Sequence, residues 1–297
     1  MNNYNQYSTL IISGGGVKSV SVVGTLRYLE ENDILQKFKT IIGTSAGAAL
    51  AYLITIGYTS YELSDIFLHI DASKIIKNNI ENFFTNFGIF NINDIVNLIE
   101  SIAKQKNETL NITFKEHFNK FNINLKIIGT NLTKKKSECF SYKTTPNMLI
   151  YTAINISMAV PYIFCPIKYN NCTYCDGGVS CNVPFKFSKN KKKTLALIYN
   201  VQDTVECDNI FSYCRALIDI SANDIKMLRK YKYNCLNLYH GKYSAFKFDQ
   251  TEEKKLNGIQ ISYLLTRTFF NRKKMLYKYF YLLRKKSIID DASLSPV

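Results

Sequence analysis

Short apolar runs, each followed by a glycine-rich turn and a helical pattern, open the chain. Residues 8–12 form the first run and precede helical spacing over 17–32. Residues 38–42 form the second run and precede a helix that continues to Ile56. Uninterrupted apolar runs bounded by glycine are typical of buried parallel strands. Two successive strand–turn–helix units therefore predict an α/β domain with a mainly parallel sheet.

The rest of the chain continues to alternate between helical and strand patterns. Residues 61–118 are mostly helical in spacing, and 146–160 form another helical pattern that ends at Pro161. Further β-rich runs are predicted as strands: 125–131, 140–142 and 194–199. A chain of 297 residues that is 46% hydrophobic can bury a large core. Disordered chains and small disulfide-stapled scaffolds are therefore excluded.

The net charge of +15 is concentrated near the C-terminus. Residues 226–286 hold 16 Lys and Arg against 3 Asp and Glu, so the remainder of the chain is almost neutral. A uniformly basic nucleic-acid coat is excluded, because such a coat needs its charge spread over the surface. We therefore divide the chain into a domain over 8–225 and a basic, aromatic C-terminal segment over 226–297.

The cysteine content and the N-terminus bear on the compartment. The chain has eight cysteines: Cys139, Cys165, Cys172, Cys175, Cys181, Cys207, Cys214 and Cys235. The first residues have no basic and apolar regions of a secretory signal, so we expect free thiols in the cytoplasm. Cys172 and Cys175 form a CxxC without a second pair at zinc-finger spacing. We expect neither a metal nor a cofactor.

Two long uncharged stretches, 41–61 and 148–167, are not predicted to cross a membrane. Glycines and hydroxyl residues interrupt the first, and Asn155, Pro161 and Pro166 interrupt the second. A helix that is apolar on all sides also suits the centre of a large α/β domain. We interpret both stretches as buried core.

The first turn contains three consecutive glycines, Gly14, Gly15 and Gly16, ahead of Lys18 and Ser19. A phosphate-binding P-loop would need glycine directly before Lys18, which is absent. A dinucleotide fingerprint would need its third glycine at Ser19 and is weak alone. The third interpretation is an oxyanion hole, in which backbone N–H groups at a helix start stabilise a developing negative oxygen.

The second turn favours the oxyanion hole. Its residues Gly43, Thr44, Ser45, Ala46 and Gly47 form GxSxG between a predicted strand and a predicted helix. At such an elbow the sharp turn exposes the serine hydroxyl above the sheet. Ser45 is therefore predicted to be a nucleophile. The competing interpretation is that the glycines serve close packing of helix on sheet.

A serine nucleophile needs a proton acceptor, and the residues leave two kinds open. A histidine base would come from His117 or His240. A carboxylate base would come from Asp176, which ends a predicted strand ahead of Gly177 and Gly178.

With these motifs the sequence resembles the patatin-like phospholipases. Residues 14–19 look like the oxyanion loop of that family and 43–47 like its GTSAG elbow. Residues 157–166 resemble its serine–proline segment, and 176–178 resemble its DGG motif. The motifs follow the family's order, and the likeness covers about residues 8–200.

The resemblance implies a three-layer α/β/α fold and hydrolysis of lipid acyl esters by a Ser–Asp dyad without histidine. By this resemblance Ser45 is the nucleophile, Asp176 is the base, and Lys18 takes the place of the family's basic residue after the glycines. Ser19 departs from the usual glycine, so we expect a shifted helix entry. Family members act on phospholipids, lysophospholipids or neutral glycerides, and several need an activating protein partner.

The basic segment over 254–286 alternates cations with aromatic and aliphatic residues. This pattern is typical of an interfacial amphipathic helix on an anionic membrane, and we expect a peripheral association of that kind. Packing of the segment on the body is an alternative interpretation, while nucleic-acid binding is not expected. Two functional rivals remain: a Ser–Asp–His esterase that uses His240, and a catalytically silent lipid-binding scaffold.

Overall fold

The computed structural model describes residues 7–70, 87–199, 225–238 and 250–292, together with positions 85, 213 and 216. Its helices are α1 (Val22–Glu31), α2 (Ala46–Thr55), α3 (Ser60–His69), α4 (Ile92–Gln105), α5 (Phe114–Phe121), α6 (Ile150–Met158), α7 (Gly178–Cys181), α8 (Ile225–Lys230) and α9 (Glu252–Ala292). Its strands are β1 (Thr9–Ile12), β2 (Thr40–Thr44), β3 (Gly88–Phe90), β4 (Asn124–Asn131), β5 (Lys136–Ser141), β6 (Tyr162–Phe164), β7 (Ile167–Tyr169), β8 (Cys172–Asp176), β9 (Thr194–Tyr199) and β10 (Cys235–Leu238).

A mixed sheet with mostly parallel strands forms the centre of the fold. Its order is β10-β9-β1-β2-β4-β8-β7, and β5 pairs with β4 off this path. The strands from β10 to β4 run parallel. The pairs β4–β5, β4–β8 and β7–β8 are antiparallel. Strands β3 and β6 form a separate parallel pair.

Alternating side chains of the buried strands fill two cores, one on each face of the sheet. Leu10 and Ile12 of β1 belong to the larger core, which also contains the apolar sides of α1, α2, α4 and α6. Ile11 belongs to the smaller core with Val183 and Phe185. Because successive strand residues point to opposite faces, an all-apolar strand needs a layer on each side. The predicted three-layer α/β/α class is confirmed.

Side-chain caps fix where several helices begin and end. Thr59 accepts from the N–H of Glu62 while Glu62 bonds back to Thr59, a capping box that starts α3. Thr113 and Glu116 form the same arrangement at the start of α5. Helix α5 ends at Phe121, and the following residue, Asn122, has the left-handed conformation.

Two predicted helices are shorter than their patterns suggested. The pattern over 17–32 begins with a 3₁₀ helix at Gly16–Ser21, and α1 starts at Val22. The pattern over 146–160 contains α6 only from Ile150, because the preceding backbone bonds to residues 112–115 instead. The hydrophobic pattern along the chain carries no information about these competing hydrogen bonds.

The C-terminal segment contacts the body closely. Strand β10 extends the sheet beside β9, and α9 lies along α1. A Cβ on Gly24 would lie 1.9 Å from the Ile259 carbonyl oxygen, so the two backbones touch. The hydroxyls of Thr25 and Thr266 are 2.8 Å apart, and the buried Phe270 ring lies farther along the same face. The packing interpretation therefore holds for this face of α9.

Among the described helices, α9 included, none combines the length and apolar character that a bilayer-spanning segment requires. Residues 276–292 are helical, and the described side chains of α9 end at Met275.

Candidate active site

Ser45 lies on the turn between β2 and α2 with strained backbone geometry. Its backbone angles, φ of 54° and ψ of −132°, fall in a region that residues other than glycine rarely adopt. A Cβ on Gly47 would lie 2.3 Å from the Ile12 carbonyl oxygen, and one on Gly43 would lie 2.4 Å from Ala48 Cα. The glycines thus permit both the turn and the close approach of α2 to β1. Close packing of helix on sheet is therefore not an alternative to the elbow, because the sharp turn at Ser45 requires that packing.

Asp176 ends β8 beside this elbow. Strand β8 pairs antiparallel with β4, with Asp176 opposite Gly129. A Cβ on Gly177 would contact Thr44 Cγ2 at 3.1 Å, so the turn after β8 touches the residue before Ser45. The Asp176 side chain is buried, and its Oδ1 accepts from the Gly178 N–H at 2.6 Å. The fold therefore places the turn after the predicted base against the residue before the predicted nucleophile, at the ends of β8 and β2.

Ser157, near the end of α6, forms hydrogen bonds with the elbow, with β4 and with the turn after Asp176. Its hydroxyl accepts from the Ser45 backbone N–H at 2.9 Å and donates to the Ile128 carbonyl at 2.6 Å. Its own carbonyl accepts from the Gly177 N–H at 3.3 Å. One buried serine thus holds the elbow, β4 and the turn after Asp176.

Asn182 holds the glycine loop from the other side. Its Oδ1 accepts from the Gly14 N–H at 2.8 Å, and its Nδ2 donates to the Gly14 carbonyl at 3.3 Å. A Cβ on Gly14 would lie 2.9 Å from Ser45 Cβ, so only glycine permits this contact. The Gly14 N–H is therefore engaged in positioning the loop. Gly15 and Gly16 stay predictions for the oxyanion hole.

The rest of the loop turns sharply into the 3₁₀ helix. Gly16 has a positive φ of 54°, and the Lys18 N–H donates to the Gly15 carbonyl at 3.1 Å. A Cβ on Gly15 would collide with the Tyr199 ring. The Lys18 side chain is buried. Ser19 lies within the 3₁₀ helix at Gly16–Ser21.

An apolar cavity of about 190 Å³ begins at Ser45. Its walls come from the buried sides of several helices and from the β6 region, for example Ala49, Leu53, Ile95, Ile99, Val160 and Phe164. Among the described residues that line it, Lys255 of α9 is the only one with an ionisable side chain. A cavity of this composition suits a hydrocarbon chain.

The described histidines lie away from this site. His117 Nε2 is 2.8 Å from the Thr55 hydroxyl at the far end of α2, and burial lowers the pKa of His117 to about 4. Ten residues of helix separate Thr55 from Ser45, a distance of about 15 Å. His69 is exposed and bonds to the Asp65 carbonyl. His240 lies outside the described residues.

The described cysteines are free thiols: Cys139, Cys165, Cys172, Cys175, Cys181 and Cys235. Cys207 and Cys214 lie outside the described part of the chain. Cys172 and Cys175 are three residues apart on β8, so they point to opposite faces of the sheet. In the described ranges no group of His, Cys, Asp and Glu has a metal-binding arrangement.

Comparison with known proteins assigns this fold and motif set to a family. The model of the family described as patatin-like phospholipase matches residues 10–187, more than half of the chain. The chain therefore belongs to the patatin-like phospholipases, a family of lipid hydrolases. The predicted family is confirmed.

Relatives of the chain occur in a virus, a bacterium and a yeast. A probable lipid hydrolase, 463L, of Invertebrate iridescent virus 6 is 38% identical over 200 residues, which cover 63% of this chain and 67% of the viral protein. The uncharacterized protein YqhO of Bacillus subtilis is 27% identical over 88% of this chain and 97% of its own. Triacylglycerol lipase 5 of Saccharomyces cerevisiae is 27% identical over 53% of this chain, but over only 22% of the yeast protein.

Two solved structures share the fold. VipD from Legionella pneumophila aligns with a TM-score of 0.62 and 18% identity, over 90% of this chain and 67% of its own. The type III effector protein ExoU aligns with a TM-score of 0.54 and 16% identity, over 90% of this chain and 53% of its own.

Sequence reasoning missed three contributors to the site. Ser157 stood within the serine–proline segment, but nothing in the segment indicated its hydrogen bonds. Asn182 follows Asp176 by six residues and matches no motif. Lys255 belongs to a segment that its charge pattern associated with membranes rather than with the cavity. Hydrogen-bond donors and acceptors that act across the fold leave no periodic signal along the chain.

Proposed function

We propose that this protein is a lipid acyl hydrolase of the phospholipase A or lysophospholipase type, with Ser45 as nucleophile and Asp176 as proton acceptor. The observation that carries the proposal is the strained Ser45 elbow, which adjoins the Asp176 turn and opens into an apolar cavity. Family membership and the lipid hydrolase relative support the reaction class.

In the first half of the reaction, Ser45 Oγ attacks the ester carbonyl carbon while Asp176 takes the hydroxyl proton. The carbonyl oxygen becomes an oxyanion, which the N–H groups of Gly15 and Gly16 stabilise at the start of the 3₁₀ helix. The carbon–oxygen bond to the alcohol then breaks, and the alcohol oxygen takes the proton from Asp176. The acyl group remains on Ser45 as an ester.

In the second half, Asp176 takes a proton from water, and the resulting hydroxide oxygen attacks the acyl carbon. The bond to Ser45 Oγ breaks, the serine regains the proton, and the fatty acid leaves. The cavity holds the acyl chain through both halves, because its walls offer hydrocarbon contact from Ser45 to Leu53.

Covalent labelling with a fluorophosphonate probe tests the nucleophile. We expect the wild-type chain to be labelled at Ser45 and Ser45→Ala to remain unlabelled, with the modified peptide identified by mass spectrometry. A folded wild-type protein that resists the probe and releases no fatty acid would support the silent scaffold instead. His240→Ala tests the triad rival, since a dyad enzyme keeps its activity in that variant.

We also propose that the outward side of α9, within residues 254–286, binds an anionic membrane surface. Its described solvent-exposed residues include apolar and cationic groups, among them Leu264, Leu265, Arg267, Arg272, Lys274 and Met275. Each cation near such a surface contributes about 1 kcal/mol. A need for an activating protein partner and the domain boundary at residue 225 remain predictions for this chain.

Sedimentation with vesicles tests the membrane proposal. We expect full-length protein to bind phosphatidylserine vesicles, and Arg267→Gln with Arg272→Gln and Lys274→Gln to weaken that binding markedly. The control is neutral phosphatidylcholine vesicles. Equal binding to both vesicle types, or no effect of the triple variant, contradicts the proposal.

A further inference from the structure

The apolar cavity closes toward the C-terminal ends of α2 and α4. Along α2, the lining residue Ala46 is partly exposed, whereas Leu53 is only 1% exposed. Along α4, the lining residue Ile95 is partly exposed, whereas Ile102 is only 4% exposed. Solvent access to the cavity walls therefore falls along both helices toward their C-termini, and Leu53 and Ile102 line the closed end.

The buried side chain of Tyr58 joins the two helices at this end. Its hydroxyl donates to the Ile102 carbonyl at 2.6 Å, and its N–H donates to the Leu53 carbonyl at 3.1 Å. Leu53, Tyr58 and Ile102 all belong to the larger core. Because a protein core is close-packed, this end cannot widen without a loss of packing. The closed end of the cavity is therefore a fixed wall.

The distance from the candidate nucleophile to this wall follows from helix geometry. Leu53 is eight residues after Ser45, and a helix rises about 1.5 Å per residue, so the wall lies about 12 Å along α2. The lining residues Ala49 and Leu50 lie between them, so the path along this helix is apolar. An extended hydrocarbon chain advances about 1.3 Å per bond, given carbon–carbon bonds of about 1.5 Å at near-tetrahedral angles. A chain of about eight to ten carbons therefore spans this depth.

We propose that Leu53 and Ile102 limit the length of the bound acyl chain, so that esters of fatty acids with about eight to ten carbons are the preferred substrates. The proposal rests on the hydrolase function proposed above and deepens it by naming the acyl class. A shorter chain leaves part of the apolar wall uncovered and buries fewer methylene groups. A longer chain meets the wall and must leave its last carbons in water. Neither residue belongs to the glycine, serine or aspartate motifs.

Hydrolysis of p-nitrophenyl esters by the full-length chain provides the main test. The substrates are the butyrate, octanoate, decanoate and myristate esters, each below its critical micelle concentration. We expect kcat/KM to rise by about fourfold for each added carbon up to octanoate, because each methylene becomes buried. From decanoate to myristate kcat/KM should fall, because the wall stops the chain. A wild-type profile that keeps rising to myristate overturns the proposal while leaving the hydrolase function intact.

Variants of the wall test which residues set the limit. Leu53→Ala should raise the ratio of kcat/KM for myristate to kcat/KM for octanoate by about tenfold or more, since further methylenes gain burial. Ile102→Val is a milder change and should raise the same ratio by about threefold. Leu29→Ala is the matched control, because Leu29 is fully buried in the same core but is not among the described residues that line the cavity. It should lose stability without a change in the ratio, and equal ratios in Leu53→Ala and Leu29→Ala overturn the proposal.

Binding of fatty acids to Ser45→Ala protein separates the length limit from the reaction itself. Calorimetric titration should show affinity that increases from octanoate to decanoate but not from decanoate to myristate. Leu53→Ala in the same background should let myristate bind more tightly than decanoate. These results would support the wall even if the wild type hydrolysed no ester, an outcome that would overturn only the hydrolase function. Absence of fatty-acid binding, or affinity that still increases to myristate in Ser45→Ala, would overturn the length limit.

Discussion

The two ends of α2 contain similar polar groups but differ in what surrounds them. At the first end, Ser45 lies beside Ser157 and the Asp176 turn, and a cavity opens from it. At the second end, the Thr55 hydroxyl bonds to His117, and apolar side chains enclose the pair. Both ends hold buried hydrogen bonds. Only the first end combines backbone strain with access for a ligand.

This difference indicates which polar group is the better candidate for the proton acceptor of Ser45. A histidine is the usual base for a serine. His117, however, is buried at the end of α2 opposite Ser45, and its lowered pKa keeps it neutral. The two glycines after Asp176 made it a candidate base in the sequence, but they do not indicate which residue it lies beside. Its position at the end of β8, with the following turn against Thr44, places it next to the Ser45 elbow.

The largest expected effect separates the two ends directly. Asp176→Asn should lower ester hydrolysis by about 10,000-fold, because an amide cannot accept the Ser45 proton. His117→Gln should leave hydrolysis within about twofold, since its side chain does not reach the reacting atoms. Steady-state release of fatty acid measures both variants. Equal loss in the two variants would remove the distinction between the ends of α2.

The elbow backbone gives the second prediction. Gly47→Ala should destabilise the protein by about 3 kcal/mol or more, because the new Cβ meets the Ile12 and Ser13 carbonyl oxygens. Gly57→Ala, at the far end of α2, should cost about 1 kcal/mol from its positive φ alone, since nothing lies within 4 Å. Urea denaturation measures both changes. A Gly47→Ala protein as stable as Gly57→Ala would contradict the tight contact of α2 with β1.

The pH dependence of stability tests the second end of α2, where His117 is buried. His117 has an ordinary pKa of 6.5 when unfolded and a pKa of about 4 when folded, so the unfolded chain binds more protons between these values. His117 therefore contributes stability that is fully present above pH 6.5 and is lost as pH falls to 4, by up to about 3 kcal/mol. The unfolding free energy of His117→Gln should vary less over this window. Identical pH profiles for both proteins would contradict a buried neutral histidine.

The smallest expected effect concerns the hydrogen bonds near each end. Ser157→Ala removes the acceptor for the Ser45 N–H and should slow fluorophosphonate labelling by about tenfold, with a loss of about 1–2 kcal/mol in stability. Thr55→Val removes a bond at the other end and should cost a similar free energy without slowing the labelling. Labelling rates and thermal unfolding of the two variants distinguish positioning from simple stabilisation.

The local pattern of apolar residues and glycines was enough to predict the central strands and both glycine turns. The run at residues 194–199 is a strand at the same bounds, and Gly43–Gly47 spans the end of β2 and the start of α2 as expected. The face of α9 that packs on α1 was harder to predict. Ile259, Ser262, Thr266 and Phe270 share one face at helical spacing, but cations between them suggested a membrane partner. Periodicity identifies a buried face without saying what buries it.

By itself the sequence determined the α/β class, the family and the two glycine turns, because these depend on short-range spacing and on residues that permit unusual backbone geometry. Tertiary structure decided the rest. It set Asp176 beside the Ser45 elbow, joined both through Ser157, placed Lys255 in the cavity wall and put His117 at the opposite end of α2. These relations depend on strand order and on contacts between residues far apart in the chain. No local pattern encodes such distances, since loop lengths and crossovers are fixed only when the layers pack.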